Sequence, residues 1–133
     1  MANEWGHLPD GCPPADATPP TMTVFRITYA RTPSPKDFET HRQLYPRIKF
    51  DDECDACGIS VYLTFDDADK RRRRIPRLKK RGRVAVAQLS PQWGLIKNTS
   101  AGDNGKHDSH HTWWIAVGTQ PWTIFEVVDR ARR

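Results

Sequence analysis

The densest group of reactive side chains lies between residues 107 and 114, in the run His-Asp-Ser-His-His-Thr-Trp-Trp. Imidazole and hydroxyl groups this close together can transfer protons or bind phosphate. His110-x-Thr112 matches half of a two-histidine phosphoesterase pattern, in which a His and a Thr hold one phosphate. The second candidate, His41, lacks a Thr two residues later. The structural alternative is that the rings of His110 and His111 bond to backbone or to a carboxylate where a strand begins.

A second candidate site is Cys54-Asp-Ala-Cys57, which a glycine follows. This pattern is typical of a zinc knuckle, because the turn directs both sulfurs at one ion. Cys12 is the third candidate ligand, and His7 or a histidine between residues 107 and 111 would complete the tetrahedron. Three cysteines, an odd number, favour a reducing compartment over a disulfide scaffold. The alternatives to zinc are a redox pair and two exposed thiols in a loop.

The main charge feature is the segment Lys70 to Arg83, in which ten of fourteen residues are Lys or Arg. The chain carries +5 in total, so the residues outside this segment sum to −5. Seven acids and no Lys or Arg occupy residues 51–69, directly before it. Three acid–base pairs spaced i,i+4 (66 with 70, 67 with 71, 69 with 73) predict local ion pairs. That pairing leaves seven cations of the segment without a local partner.

A dense cationic segment beside an acidic body is typical of a polyanion-binding site. We therefore predict sequence-tolerant binding of nucleic acid, RNA in particular, through a basic helix and loop at residues 70–83, since no base-reading signature accompanies the charges. The predicted contacts are Arg71, Arg72, Arg73, Arg74, Arg77, Lys79, Lys80 and Arg81. Two alternatives stay open: an interaction module for an acidic protein partner, and a solvated helix face without a ligand.

Periodicity and capping signals predict the elements that position these residues. Alternating apolar residues indicate strands over 24–29, 58–63, 83–89, 94–97, 111–117 and 122–128. One short helix is expected from Ser34 to about Leu44, and another from Thr64 to its end at Pro76. This layout predicts an α+β domain with a mainly antiparallel, twisted sheet of five to six strands and two short helices. Most of the tryptophans in the later strands should be buried.

The chain length of 133 residues indicates one domain. Residues 1–21 hold five of the eleven prolines and predict an irregular arm, residues 22–129 form the domain, and residues 130–133 form a basic tail. No apolar run approaches the ~18 residues of a membrane span, and no secretory signal precedes the domain. We expect a cytoplasmic protein without a membrane partner, and the oligomeric state stays open.

Strand alternation also predicts which side chains share a face. Ser60 and Tyr62 should lie opposite the apolar residues of their strand, and Arg26 opposite those of the first strand. An active site requires Ser60 or Tyr62 to share a cleft with His110 or His111 and with Arg26. Whether the chain is an enzyme depends on that geometry.

Four short motifs resemble a family of small uncharacterised bacterial proteins. That family reads G-(L/V)-S-V-(F/Y), then a helix with acids and Ala, a strand of I-A-E type, and H-H-T-x-W. The matching segments here are Gly58–Tyr62, Asp66–Ala68, Val84–Ala87 and His110–Trp114, within about Val24 to Trp114. The family has no established activity to transfer. The resemblance implies that Ser60, His110, His111 and Thr112 do more than pack.

The order of elements is also similar to small ADP-ribosyltransferase-like folds, which implies NAD as cofactor in an alternative, toxin-like enzyme. By this resemblance Arg26 or Arg31 would hold the NAD phosphates. Tyr62 and Thr64 would hold the nicotinamide side, and Glu126 would stabilise the oxocarbenium-like ribose. The residues that the enzyme alternative assigns to catalysis are Arg26, Tyr62, Thr64, Glu126, His110 and His111. No Arg-Tyr or Ser-Thr-Ser motif is intact, so the mapping depends on element order alone.

Overall fold

The computed structural model describes residues 8–100 and 108–128 of the chain. These residues form six strands: β1 (Thr23–Thr28), β2 (Ile59–Val61), β3 (Arg83–Gln88), β4 (Gly94–Asn98), β5 (His111–Ile115) and β6 (Glu126–Val128). They also form four α-helices: α1 (His41–Leu44), α2 (Glu53–Ala56), α3 (Phe65–Arg74) and α4 (Pro76–Arg81). Short 3-10 turns occupy Pro35–Phe38, Pro91–Trp93 and Pro121–Thr123. Every described strand pair is antiparallel, which confirms the predicted α+β class.

The six strands divide into two three-stranded sheets, in the orders β1–β3–β6 and β2–β5–β4, where the sequence predicted one sheet. A single bridge joins them, because the backbones of Phe25 and Tyr62 exchange hydrogen bonds of 2.7 and 2.8 Å. The next amide, that of Leu63, faces the other side and donates to the side chain of Ser109 at 2.9 Å. The chain then turns into α3, so β2 is too short to extend the pairing.

The main core lies between the inner faces of the two sheets. Its largest member is Trp113, which is fully buried and donates from Nε1 to the carbonyl of Trp93 at 2.9 Å. The other buried members are Val24, Phe38, Ile59, Val61, Ala85, Ala87, Leu89, Ile96 and Phe125. Trp114 is also buried, as predicted for the tryptophans of the later strands. A smaller cluster of Tyr62, Phe65, Ala68 and Val84 packs α3 against the first sheet.

The helices differ from the predicted pair at three places, of which the first is α2, a short helix that the sequence analysis did not predict. Pro76 begins α4 at its first position, whereas the sequence analysis placed a basic loop there; proline ends one helix but is also well suited to begin the next. The predicted helix from Ser34 is broken after Phe38. The break occurs because Thr40 and Gln43 form a capping box of their own that begins α1, with bonds of 2.8 and 3.1 Å.

Thr64 caps α3 as predicted, with its hydroxyl accepting from the amide of Asp67 at 3.1 Å. The last predicted strand is shorter than expected, because Pro121–Thr123 forms a 3-10 turn and only Glu126–Val128 pairs. Residues 8–21 of the predicted arm contain no helix or strand of their own, apart from one bridge between Thr18 and Ile96. Residues 1–7, most of the loop 99–109 and the basic tail lie outside the described residues. None of the described helices has the length and apolar character to cross a bilayer.

Candidate functional site

The outer face of the second sheet carries a compact set of polar side chains. Ser60 on β2 lies directly opposite Thr112 on β5, and both point away from the buried pair Ile59 and Trp113. The next residues on this face, Tyr62 and His110, bring their rings to a centroid distance of 5.4 Å. The structure therefore brings Ser60, Tyr62 and His110 together on one face. Strand alternation had predicted that Ser60 and Tyr62 share a face.

A continuous series of hydrogen bonds, here called the hydroxyl–imidazole chain, runs through Ser60, His110, Thr99 and Thr112. The Ser60 Oγ lies 2.9 Å from Nε2 of His110, and Nδ1 of the same ring lies 2.6 Å from Oγ1 of Thr99. The Thr99 hydroxyl continues to Oγ1 of Thr112 at 3.0 Å. In one consistent arrangement Ser60 donates to Nε2, Nδ1–H donates to Thr99, and Thr99 donates to Thr112. Ser60 itself is exposed to solvent.

The environment of His110 favours the neutral ring. Burial lowers the pKa of His110, Asp108 opposes this shift, and the neighbouring His111 and Arg71 add to it. The carboxylate of Asp108 accepts from the backbone amide of His110 at 3.0 Å. The imidazole is thus uncharged at neutral pH, so Nε2 is free to take a proton from the Ser60 hydroxyl.

Tyr62, on this face, and Arg26, from β1, complete the surroundings of the site. Burial raises the pKa of Tyr62 to about 12, so its phenol stays protonated. Arg26 donates from Nη1 to the carbonyl of Ser60 at 2.8 Å and from Nε to the carbonyl of Asp37 at 2.9 Å. Burial lowers the pKa of Arg26 to about 10, which still leaves it charged at neutral pH. Arg26 therefore holds the backbone of the exposed serine in place.

Three of the residues assigned to catalysis by the sequence analysis lie elsewhere. His111 is buried on the core side of β5, and its Nδ1 lies 2.8 Å from the carbonyl of Ser109, as the structural alternative expected. The Thr64 hydroxyl is used by the cap of α3. Glu126 lies opposite Val86, which in turn lies opposite Phe25, so these three side chains share one face of the first sheet.

Arg26 follows Phe25 on β1, so it points to the other face of that sheet from Glu126. Tyr62 shares the Phe25 side, but three strand spacings of about 4.8 Å separate it from Glu126. The three residues that the ADP-ribosyltransferase alternative requires do not converge. An NAD molecule bound at this face would therefore lack the Glu126 carboxylate, which the alternative assigned to stabilise the ribose.

The sequence analysis missed two groups that position His110. Ser109 donates from its amide and its hydroxyl to the carboxylate of Asp67, at 3.0 and 2.6 Å, and so fastens the start of β5 to α3. Asp67 was expected to pair with Arg71. Thr99 is aligned by its own amide, which donates to the carbonyl of His110 at 3.0 Å. The residue types alone gave no signal for these contacts, because they join positions far apart in the chain.

The predicted zinc site at Cys54, Cys57 and Cys12 is wrong. Cys12 and Cys54 form a disulfide between residues 42 apart, so their sulfurs are not available as thiolate ligands. Cys57 is free and half-buried, and burial followed by the charge of Glu53 raises the pKa of its thiol. Within residues 8–100 and 108–128, no group of three or more His, Cys, Asp or Glu could hold a metal ion. The further candidates His7 and His107 lie outside the described residues.

The second candidate site is the basic surface, defined here as the outward side of α3 and α4. Asp69 is buried and takes up two of its cations, with Arg72 at 2.8 Å and Arg73 at 3.0 Å. Arg72 also donates to the carbonyl of Lys79 at 3.0 Å, which joins the two helices. The exposed cations of this surface are Lys70, Arg73, Arg74, Arg77, Lys79, Lys80 and Arg81.

The two candidate sites meet at Arg71. This residue is half-buried on α3, and its positive charge acts on both Tyr62 and His110. On α4, Arg77 donates to the hydroxyl of Tyr29 at 3.3 Å. The hydroxyl–imidazole chain therefore lies at the border of the most cationic part of the described chain.

Comparison with protein-family models, with curated proteins and with solved structures found no match for this chain. The resemblance to a family of small bacterial proteins therefore stays a prediction. Its two longest motifs, Gly58–Tyr62 and His110–Trp114, lie side by side, because β2 pairs with β5. The hydroxyl–imidazole chain is built mainly from these two motifs.

Proposed function

We propose that the basic surface binds nucleic acid without strong sequence preference. The observation that carries this proposal is the accumulation of seven exposed cations on two consecutive helices. One buried carboxylate, that of Asp69, pairs with arginines of the same surface. Backbone phosphates are the natural counterpart of such a surface, because their contacts are electrostatic and independent of the base. The contacts that we propose are the exposed cations of the basic surface.

The shape of the surface supports an extended polyanion over a single small anion. At about 1.5 Å per residue, the ten residues of α3 and the six of α4 span about 15 and 9 Å. Cations distributed over that distance can meet several phosphates in succession. Two of the predicted contacts differ from the rest: Arg72 is held by Asp69 and the Lys79 carbonyl, and Arg71 is half-buried, with its charge acting on His110.

A salt titration of binding to a generic RNA and a generic duplex DNA tests the proposal. Each phosphate contact contributes roughly 0.9 to the slope of log affinity against log salt on duplex DNA, and roughly 0.7 on a single strand. Replacing Lys79, Lys80 and Arg81 together by Gln should lower the slope by about 2 to 3 and weaken binding at low salt. The matched control replaces Arg31, Arg47 and Lys49, three exposed cations elsewhere, and should leave the slope unchanged.

Equal effects of the two triple variants would contradict a specific basic surface, and so would affinity weaker than millimolar at about 50 mM salt. An acidic protein partner is the second use that these charges allow. Competition with polyglutamate distinguishes the nucleic-acid partner from the acidic protein partner. When polyglutamate carboxylates and RNA phosphates are present at equal concentrations, a site that prefers carboxylates would release the RNA. RNA that stays bound under those conditions supports phosphate recognition.

We further propose that the protein functions with the Cys12–Cys54 disulfide formed. Disulfides persist in oxidising compartments and are rare in the cytosol. This proposal replaces the cytoplasmic location expected from the odd number of cysteines. Titration of free thiols in freshly isolated protein tests it: one reactive thiol, that of Cys57, is expected, and three would contradict it.

A further inference from the structure

We infer that Ser60 and His110 form a nucleophile–base pair that acts on phosphoester bonds at the border of the basic surface. Ser60 would attack phosphorus, and His110 would accept its proton. The pair itself depends only on the geometry of the second sheet. That its natural substrate is a nucleic-acid phosphodiester rests on the proposed function.

The first argument is the arrangement of the three groups. An activated nucleophile needs a base within hydrogen-bonding distance, and the base needs a third group that orients it. Ser60 Oγ lies 2.9 Å from Nε2 of His110, and Thr99 Oγ1 lies 2.6 Å from Nδ1 of the same ring. Ser60 is exposed, whereas the imidazole and Thr99 are half-buried. The hydroxyl is therefore accessible to a ligand while the group behind it is shielded.

The second argument is that each member of the pair is held in place, Ser60 within β2 and His110 at the residue directly before β5. The backbone of Ser60 pairs with Thr112, and its carbonyl accepts from Arg26 at 2.8 Å. His110 is fixed by the bond of its amide to Asp108, by the edge contact with Tyr62, and by Ser109, which Asp67 holds. Catalytic groups need positions held to within a fraction of an ångström, which strands supply better than mobile loops.

The third argument concerns the electrophile. Arg71 contributes positive charge at both Tyr62 and His110, and the basic surface begins at the same helix. The two carboxylates on this side, Asp108 and Asp67, accept backbone hydrogen bonds from His110 and Ser109. A guanidinium stabilises the negative charge that develops on phosphoryl oxygens, and it also attracts the charged ester before reaction. A phosphoester accordingly fits this site better than an uncharged carboxylic ester.

The reaction is balanced without a further cofactor. The Ser60 oxygen forms a bond to phosphorus, its proton passes to Nε2 of His110, and the bond from phosphorus to the leaving oxygen breaks. The leaving oxygen takes the proton from the imidazolium. Water then attacks the phosphoserine and gives a proton to Nε2 of His110. The bond between phosphorus and the Ser60 oxygen breaks, and that oxygen takes the proton from the imidazolium, which restores both the serine and the neutral ring.

Diisopropyl fluorophosphate tests the pair without any nucleic acid. The Ser60 oxygen would replace fluoride on phosphorus, and peptide mapping by mass spectrometry would place the adduct on Ser60. Ser60→Ala should remove the label. His110→Gln, which keeps a hydrogen-bonding side chain but cannot serve as base, should slow labelling by roughly 100-fold or more. The half-buried Ser90→Ala is the matched control and should label as the wild type does.

The pH dependence distinguishes a base from a merely structural histidine. Labelling should increase with pH as His110 loses its proton, with a midpoint below the ordinary pKa of 6.5, because burial lowers the pKa of this ring. The charged and titratable groups that act on the ring are Asp108, His111 and Arg71, and Tyr62 contacts its edge. Asp108→Asn should move the midpoint lower still, since Asp108 raises the pKa of His110.

Several outcomes would overturn the inference: no adduct on the wild type, an adduct on other serines at equal rate, or equal labelling of His110→Gln when its circular dichroism matches the wild type.

A labelled RNA oligonucleotide tests the substrate. Cleavage by the wild type, with Ser60→Ala binding RNA normally but not cutting it, supports the phosphodiester. Labelling of Ser60 through His110 without RNA cleavage would keep the pair and reject the nucleic-acid substrate. Loss of RNA binding in the Lys79, Lys80 and Arg81 variant with labelling intact would show the two proposals to be separable.

Discussion

The basic surface and the hydroxyl–imidazole chain are neighbours that meet at Arg71, yet they are built in opposite ways. The basic surface consists of many equivalent charges on exposed side chains, such as Lys79 and Arg81. The hydroxyl–imidazole chain consists of four neutral groups at distances of 2.6 to 3.0 Å. Ser60 and Thr112 lie opposite each other on paired strands, and Thr99 and His110 lie at the ends of β4 and β5, where their backbones are hydrogen-bonded. The basic surface can lose one cation and remain strongly positive. The hydroxyl–imidazole chain loses a hydrogen bond when any one of its four residues moves.

This difference predicts different sensitivities. Salt screens exposed charges within about 10 Å at 0.1 M, so it should act on the basic surface. The hydroxyl–imidazole chain should respond instead to changes in strand register and packing. Variants that separate packing from charge therefore test whether the two surfaces are as independent as their construction indicates.

The largest effect is expected from removing the covalent tie near the second sheet. Cys12→Ser with Cys54→Ser frees a loop closed over 42 residues, which the chain-entropy model values at about 4 kcal/mol, with 2 to 4 kcal/mol typical. The melting temperature should fall by about 10 °C. Nucleic-acid affinity well below the melting temperature should not change. Cys57→Ser keeps the disulfide and is the control for thermal unfolding; an equal melting temperature of all three proteins would refute this estimate.

A methyl group at Gly58 should break the hydroxyl–imidazole chain while sparing the basic surface. A Cβ on Gly58 would lie 2.5 Å from Cγ2 of Thr112 and 3.2 Å from Nε1 of Trp114. Gly58→Ala should therefore cost about 1 to 3 kcal/mol of unfolding free energy through overpacking. It should also slow the labelling of Ser60. The measurements are chemical denaturation and labelling with diisopropyl fluorophosphate.

The double variant Gly58→Ala with Thr112→Ser is the matched rescue. Serine removes the methyl group that would collide but keeps the hydroxyl that Thr99 contacts. Stability and labelling should recover together. Recovery of stability without recovery of labelling would mean that Ser60 depends on more than the register of these two strands.

The smallest effect of the three is expected at Asp69, on the basic side of the comparison. Asp69→Asn should cost about 1 to 2 kcal/mol, because Arg72 and Arg73 lose a buried, charged partner. Affinity for nucleic acid should rise, since one negative charge is lost and two guanidinium groups become available. Asp51→Asn removes the same charge from an exposed position outside the helices and should leave stability nearly unchanged.

The effect of Asp69 should also depend on pH. Burial raises the pKa of Asp69, but the hydrogen bonds and charges of Arg72 and Arg73 outweigh burial and hold it below its ordinary value of 3.8. A carboxyl with a depressed folded pKa contributes stability above its unfolded pKa and loses it as the pH falls through the folded value. The difference in unfolding free energy between wild type and Asp69→Asn should therefore shrink below about pH 4. A constant difference down to pH 2 would contradict this assignment.

Local patterns in the sequence predicted the elements well. Alternation identified the position of every strand, and the cap at Thr64 identified the start of α3. The shared face of Ser60 and Tyr62 also follows from alternation, because β2 continues directly into Tyr62. These features depend on residues close together in the chain, where spacing carries the information.

Contacts between distant segments could not be predicted in the same way. The spacing of Cys54 and Cys57 favoured a joint role, but the partner of Cys54 is Cys12, which lies 42 residues away. Thr99 and Asp67 reach the site only because β4 and α3 pack beside β5. The sequence analysis predicts only a helix end at Pro76. It does not predict the new helix, because proline suits both the end of one helix and the beginning of another.

The Thr18–Ile96 bridge has a consequence for how the molecule behaves at high concentration. β4 is the outer strand of its sheet, and an outer strand with free amides and carbonyls is a template for edge-to-edge aggregation. Thr18 occupies both groups of Ile96, with hydrogen bonds of 2.9 and 2.8 Å. Pro19 and Pro20, which follow, have no amide hydrogen to offer a further strand. The segment around Thr18 thus covers the edge at Ile96 without offering free amides of its own to another strand. The Cys12–Cys54 disulfide keeps this segment in place.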